Sequence, residues 1–329
     1  MHFLVTGVAG FIGHRTALAL LAAGHSVVGV DNLNDYYDTR LKHARLKRFD
    51  GLPGFRFQEL DLADHEGLMA LPERDEIDRV VHLAAQAGVR YSIENPFAYA
   101  SSNLTGHLSV LEFCRHANKK PMLVYASSSS VYGMNAVAPF REDADVGFPV
   151  SLYAATKRSD ELMSRTYAHL YDLQQIGLRF FTVYGPWGRP DMAYWSFTDR
   201  ILKGEPIHVF NGGKMQRDFT YIDDIIDGVM KIVTGTPVLG KEGRPHRLYN
   251  IGNNKPVSLM DFIGEIESAV GRKAEMIMEP MQPGDVKATC ADISAIEADY
   301  GFAPKTELST GILKFVDWYR SEYLTNIAN

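Results

Sequence analysis

His2-Phe-Leu-Val-Thr-Gly-Val-Ala-Gly-Phe-Ile-Gly13 opens the chain with a short apolar strand that runs directly into three glycines. The stretch Thr16-Ala-Leu-Ala-Leu-Leu-Ala-Ala23 then reads as a helix, and Gly24 stops it. Ser26-Val-Val-Gly-Val30 is a second strand that ends in Asp31. Strand, glycine turn, helix, strand and acid make up a mononucleotide-binding unit. Gly7 permits the tight turn, Gly10 lets the backbone approach a pyrophosphate, and Gly13 allows close helix packing. Phe11 and Ile12 lie at the helix start, where unsatisfied N–H groups and the helix dipole favour a phosphate. The spacing is G-x-x-G-x-x-G rather than G-x-G-x-x-G, so the intact β-α-β context carries the assignment. A carboxylate at Asp31 accepts ribose hydroxyls and repels a 2′-phosphate. No arginine follows it in Asn32-Leu-Asn-Asp-Tyr-Tyr37. The expected cofactor is therefore NAD rather than NADP.

The alternation continues. Residues 40–48 are basic and read as a solvated helix face, from which one side chain could reach the adenosine phosphates. Phe55-Arg-Phe-Gln-Glu-Leu60 is a third strand leading to Asp61 and Leu62. Arg79-Val-Val-His-Leu83 is a fourth, leading to Ala84, Ala85 and Gln86, small enough at the alanines for a cofactor to lie close. Helical patterns cover about 98–117 and 151–170, and Gln175-Ile-Gly-Leu-Arg-Phe-Phe-Thr182 is another strand. Strands alternating with helices imply an α/β chain with a Rossmann-type, doubly wound parallel sheet. The sheet is expected over 1–182, with about 217–252 returning to it. Residues 183–329, which carry no nucleotide fingerprint, are expected to form a smaller C-terminal substrate-binding domain.

Composition narrows the function. The chain has 329 residues, 46% hydrophobic and 22% charged, as soluble enzymes do. A net charge of −6 argues against nucleic acid or an anionic membrane as partner. Only Cys114 and Cys290 are present and the 11 histidines are scattered, so no metal site is expected. The early apolar run of residues 17–23 is too short to span a bilayer, and no charged leader precedes it. A cytoplasmic protein is the expectation.

Chemistry concentrates further along. Met122-Leu-Val-Tyr-Ala126 reads as a buried strand, and Ser127-Ser-Ser-Ser130 follows it, then Val131-Tyr132-Gly133. Beyond a proline-containing loop comes Tyr153-Ala-Ala-Thr-Lys157, where i and i+4 place Tyr153 and Lys157 on one helix face. An ammonium beside a phenol favours the phenolate, which can exchange a proton with a sugar hydroxyl. A serine at the end of the neighbouring strand could hold the same oxygen.

Taken together, Gly7, Gly10, Gly13, Asp31, Asp61-Leu62, His82-Leu-Ala-Ala-Gln86, Ser127-Ser-Ser, Tyr153-x-x-x-Lys157 and Arg217-Asp-Phe-Thr-Tyr resemble the extended short-chain dehydrogenase/reductase family of nucleotide-sugar enzymes. The resemblance covers nearly the whole chain. It implies a nicotinamide beside Tyr153 and Lys157 and a nucleotide diphosphate sugar between two domains. Sugar 4,6-dehydratases of the family carry an acid just before the strand-end Tyr-Gly. Here serines precede Val131-Tyr132-Gly133, so no extra general acid is offered for elimination, and the chain resembles a 4-epimerase. Asp31-Asn-Leu-Asn-Asp-Tyr-Tyr37 and Arg179-Phe-Phe-Thr-Val-Tyr-Gly-Pro-Trp-Gly-Arg-Pro-Asp-Met192 are most similar to UDP-glucuronate 4-epimerases.

The resemblance implies Tyr153 as proton exchanger, Lys157 as its partner and ligand of the nicotinamide ribose, and Ser128 on the 4-oxygen, with Ser129 or Ser130 assisting. Arg217 and a residue near Asp285 would hold the UDP diphosphate and ribose. Thr182 stands where UDP-galactose epimerases carry Asn, and Arg189 is the candidate for a sugar carboxylate. A homodimer through the helices at 98–117 and 151–170 is expected. A UDP-hexose or N-acetylhexosamine 4-epimerase is the alternative, and a non-catalytic NAD-binding regulator a remote one.

Overall fold

The computed structural model describes residues 1–134, 137–240, 243–282 and 286–328. Its strands are β1 (His2–Thr6), β2 (Ser26–Asp31), β3 (Phe55–Glu59), β4 (Arg79–His82), β5 (Met122–Ser128), β6 (Gln175–Phe180), β7 (Thr182–Tyr184), β8 (Ile207–Phe210), β9 (Gln216–Tyr221), β10 (His246–Ile251), β11 (Pro256–Ser258) and β12 (Met276–Glu279). Seven of them form one sheet in the order β10-β6-β5-β4-β1-β2-β3, and every pairing in it is parallel. Helices cover both faces, so β1, β5 and β6 are almost wholly buried, which is why they read as unbroken apolar runs.

Chain order reverses between β1 and β4. From β1 the chain builds outward through β2 to β3, then crosses back to β4 and builds the other way. Loops leaving the carboxyl ends of β1 and β4 diverge there and open a crevice, the usual ligand position in such sheets. The glycine turn and the loop beginning at Leu83 are those two loops.

Two features depart from the sequence pattern. The strand expected to run to Thr182 breaks at Phe181, and Thr182 begins β7 in a separate sheet of order β11-β9-β7. Phe180 and Phe181 are both buried, one at the end of β6 and the other between the two sheets, so the chain turns between them. The helix expected at 98–117 is three pieces: Pro96–Tyr99, a π-helical stretch Ala100–Thr105, and Gly106–His116. The widened turn carries Asn103 inward, where its side chain has work described below.

The smaller region holds β7, β9 and β11, the parallel pair β8 and β12, and the packed helices Leu259–Val270 and Leu308–Trp318. Trp195 packs edge to face on Trp318 and Tyr319 and tilted against Phe315, which ties the region's helices together.

Candidate active site

The crevice is a cavity of about 940 Å³ that runs from the glycine turn to β8. Gly7 has φ +72°, and a Cβ there would lie 2.7 Å from the Ala84 nitrogen, so the two diverging loops touch only because this residue is glycine. A Cβ on Gly13 would run into the Gly7 carbonyl. The helix Phe11–Ala22 has Gly10 at its N-cap, no side-chain cap and no acid in its first turn. Its leading N–H groups are therefore left for an anion.

The acid at the end of β2 is held firmly. Asp31 accepts from Ala9 N at 3.0 Å and from Leu33 N at 2.9 Å, and it lines the cavity. Two of roughly four lone-pair positions remain for ligand hydroxyls. Asn32 donates to Asp61 at 2.8 Å, which brings together two residues from different strand ends. On the far side Thr6, from β1, bonds the His82 ring at 2.7 Å and accepts from Ala84 N at 3.2 Å. Gln86 is fastened by Asn103, which accepts from its N–H at 2.8 Å and donates to its carbonyl at 3.1 Å. Asn103 also donates to Thr156 at 2.9 Å and so links this wall to the helix Leu152–Tyr171. A diphosphate at bare N–H groups, a ribose at Asp31 and a flat alanine-lined wall are what a dinucleotide requires, and these residues fit it. Gly7, Gly10, Phe11, Ile12, Gly13, Asp31, Asn32, Asp61, Leu62, Leu83, Ala84, Ala85 and Gln86 all line the cavity.

The helix Leu152–Tyr171 delivers Tyr153 and Lys157 to the same space. Ser151 caps it by accepting from Ala154 N at 3.1 Å. Tyr153 thus stands in the first turn, with Lys157 one turn behind and 2% exposed. Lys157 donates to Asp160 at 3.1 Å, a buried acid that sequence reasoning did not single out. Burial pushes the Asp160 carboxyl up to about 6, against the pull of Lys157. Its other oxygen has no hydrogen-bond partner.

The serines divide by strand parity. Ser127 donates to Glu161 at 2.7 Å, and Glu161 is clamped by Arg179 at 2.8 and 2.9 Å, so this serine belongs to a buried ion-pair cluster. Ser128 caps the turn Ser129–Tyr132, accepting from Ser130 N at 3.2 Å and donating to the Ser130 hydroxyl at 3.2 Å. Ser128, Ser129 and Ser130 line the cavity with Tyr153 and Lys157.

Thr182, Arg189 and Arg217 line the same cavity. Arg189 is paired with Asp191, which also accepts from the Tyr36 hydroxyl at 3.1 Å. Burial alone would raise the Asp191 carboxyl, but Arg189 and Tyr36 hold it below the usual carboxylate range. Arg217 donates to the carbonyls of Gln216 and Lys287. Asp285 lies outside the described residues.

One expectation holds only in part. The basic stretch at 40–48 is exposed at Arg40, Lys47 and Arg48, but in the helix Thr39–Lys47 the side chains of Lys42 and Arg45 are buried. Lys42 donates to the Asn34 carbonyl at 2.6 Å and to its side chain at 2.9 Å, and reaches the cavity near Asp31. Both cations point inward because loop carbonyls from elsewhere in the chain await them, a signal that no local pattern carries.

Among the described residues no helix is long and apolar enough to cross a membrane.

Known proteins share this arrangement. The chain is 47% identical over 334 residues to Protein CapI of Staphylococcus aureus, covering 98% of this chain and 99% of that one. It is 46% identical over 330 residues to UDP-glucuronate 4-epimerase 2 of Arabidopsis thaliana, covering 97% of this chain and 76% of that one. The structure of UDP-glucuronic acid 4-epimerase from Bacillus cereus, in complex with UDP-glucuronic acid and NAD, superposes with a TM-score of 0.88 at 33% identity, covering 98% of this chain and 100% of that one. The model of the NAD dependent epimerase/dehydratase family matches residues 3–252. With its glycine turn, Asp31, Tyr153 and Lys157 gathered on one cavity, the chain belongs to that family.

Proposed function

We propose that this protein inverts C4 of a UDP-sugar with bound NAD, and that the sugar is UDP-glucuronate, converted to UDP-galacturonate. The observation that carries the reading is the single cavity lined by the dinucleotide cradle, Tyr153, Lys157, Ser128 and Arg189. Similarity to UDP-glucuronate 4-epimerases over nearly the whole chain supports the choice of sugar.

NAD supplies the hydride acceptor and donor. Tyr153 takes the proton from the 4-hydroxyl as C4 becomes a ketone, and the buried Lys157 ammonium stabilises the phenolate. Ser128 positions the 4-oxygen. The 4-keto sugar turns about its diphosphate link and presents its other face, and Tyr153 returns the proton as C4 is reduced again. Atoms and electrons balance over the cycle, since what leaves C4 and O4 comes back to them. Arg189 and Thr182 are assigned to the sugar carboxylate and Arg217 to the diphosphate. Residues 1–182 form the cofactor-binding domain, and of the stretch 217–252 expected to return to it β10 joins its sheet whereas β9 pairs with β7 and β11 in the smaller region; residues 183–329 mainly hold the UDP-sugar. On this reading the enzyme is a cytoplasmic homodimer.

The test is to incubate the purified protein with UDP-glucuronate and read the configuration of the product at C4. Tyr153→Phe should turn over at least about 10²-fold more slowly, the scale of a general acid–base group, while retaining NAD. An inert wild type would overturn the substrate, and a fully active Tyr153→Phe would overturn the mechanism.

A further inference from the structure

Arg45 is completely buried, and none of the steps above uses it. All five of its N–H donors are bonded to neutral oxygens. Nη1 reaches the Ala9 carbonyl at 2.8 Å and the Tyr37 hydroxyl at 2.6 Å. Nε and Nη2 reach the Trp187 carbonyl at 3.2 and 2.7 Å, and Nη2 also reaches the Gly188 carbonyl at 2.7 Å. Ala9 belongs to the glycine turn, whereas Trp187 and Gly188 immediately precede Arg189. One planar guanidinium thus spans the cofactor turn and the loop that faces the sugar.

That loop needs a hold. Trp187 has φ +67°, a left-handed conformation that a bulky residue adopts only under constraint. Its indole is covered by the Arg48 guanidinium at 5.0 Å and by Trp318 at 5.3 Å. A buried cation bonded only to neutral oxygens is costly. A neutral side chain could not offer five donors in one plane, and a lysine offers three from a single point.

We propose that Arg45 is a positioning residue: it fixes the Arg189 loop to the cofactor turn and so sets where the sugar carboxylate is held relative to the reacting C4. The consequence for the carboxylate rests on the uronate reading above; the tie between the two loops does not. In a β-keto acid intermediate, a loosened carboxylate can align its C–C bond with the ketone and leave as CO₂; the bond's electron pair passes to the ketone oxygen as an enolate, which takes a proton at C5, and the hydride removed from C4 stays on the cofactor. Loss of the tie therefore diverts product as well as slowing turnover.

The test compares the full chain as wild type, Arg45→Lys, Arg189→Ala, the double variant Arg45→Lys/Arg189→Ala, and Tyr37→Phe. In Arg45→Lys, the amides of Gly188, Arg189, Asp191 and Met192 should exchange hydrogen at least about fivefold faster, the scale of a lost hydrogen bond. Amides of the helix Leu152–Tyr171 should be unchanged. With UDP-glucuronate, the share of turnovers ending in CO₂ should rise at least about threefold, as expected for a small misplacement at a reacting centre. The double variant should release no larger share than Arg189→Ala alone, because both changes act through one group. Unchanged exchange at 188–192, equal acceleration over the whole chain, or additive effects in the double variant would each overturn the proposal. If Arg45→Lys does not fold, Tyr37→Phe removes only the hydroxyl that Nη1 shares with Ala9. It should still speed exchange at 188–192 by at least about twofold, and no change there overturns the tie. Exchange needs no substrate, so a wild type inert toward UDP-glucuronate would sink the uronate reading while the exchange result still decides on Arg45.

Discussion

Arg189 meets Asp191 edge-on, with Nε 2.9 Å from Oδ1 and Nη2 2.5 Å from Oδ2. The forked face that would suit a sugar carboxylate is thus engaged by a carboxylate of the protein. A uronate must approach the remaining N–H groups or share the guanidinium. Arg189→Ala should raise the Michaelis constant for UDP-glucuronate by roughly tenfold, the low end of the range for a charge-assisted pair, and enlarge the share of CO₂. UDP-glucose should be a poor substrate of the wild type. Steady-state kinetics on both sugars would expose the assignment as wrong if the variant kept wild-type uronate constants.

Cofactor choice follows from Asp31. Its carboxylate is oriented by two backbone N–H groups, and Lys42, a cation within electrostatic reach of it, is bonded to Asn34. Since juxtaposed like charges cost several kcal/mol, binding should favour NAD over NADP by at least about tenfold. Titration showing equal affinity would contradict this.

Acid should unfold the protein early. His14, His82, His107 and His246 are held neutral chiefly by burial, with His82 lowered to about 3 and His246 to about 4. Unfolded, each takes a proton near pH 6.5, so the unfolded state binds more protons below that value. Stability is complete above about pH 6.5 and falls as pH drops toward 4, by up to about 1.4 kcal/mol per pH unit for each group. Asp160, raised to about 6, works the opposite way between roughly 4 and 6, as do Glu142 and Asp218, whose carboxyls burial also raises; the lowered carboxylates, Asp191 and Glu161 among them, act in the same direction as the four imidazoles. Urea midpoints at pH 7.5, 6 and 5 should fall in that order; an unchanged midpoint would mean the imidazoles are not buried neutral.

The outer faces of two packed helices leave apolar side chains in water. Phe97 is 84% exposed, and Leu108, Leu162 and Leu170 are exposed along Gly106–His116 and Leu152–Tyr171. These helices are joined by His107 to Ser164 at 2.8 Å, so the faces lie side by side. A self-complementary pairing of two chains would cover them. Sedimentation should show a dimer, and Leu162→Glu should shift it toward monomer. A monomeric wild type would remove the proposal.

Local pattern carried the first β-α-β unit, because tight turn, helix and strand are each set by neighbours in sequence. It also carried Tyr153 and Lys157, since helix geometry alone puts i and i+4 on one face. Other features waited for the tertiary structure. Sequence shows only a serine run that follows a strand. The packing of β5 against β6 and the helix Leu152–Tyr171 decides that Ser127, although it borders the cavity too, gives its hydroxyl to Glu161, while Ser128 gives its own to Ser130. Asp160 carried no signal in the sequence, and only the fold shows it buried beside Lys157. Lys42 and Arg45 read as solvated cations, because charge in a local window predicts exposure. Their acceptors lie in other loops, and for Arg45 two of them are carbonyls of Trp187 and Gly188, far along the chain. A residue's partners within one turn are written in its neighbourhood; partners brought in by long-range folding are not, and those decide which polar groups are buried.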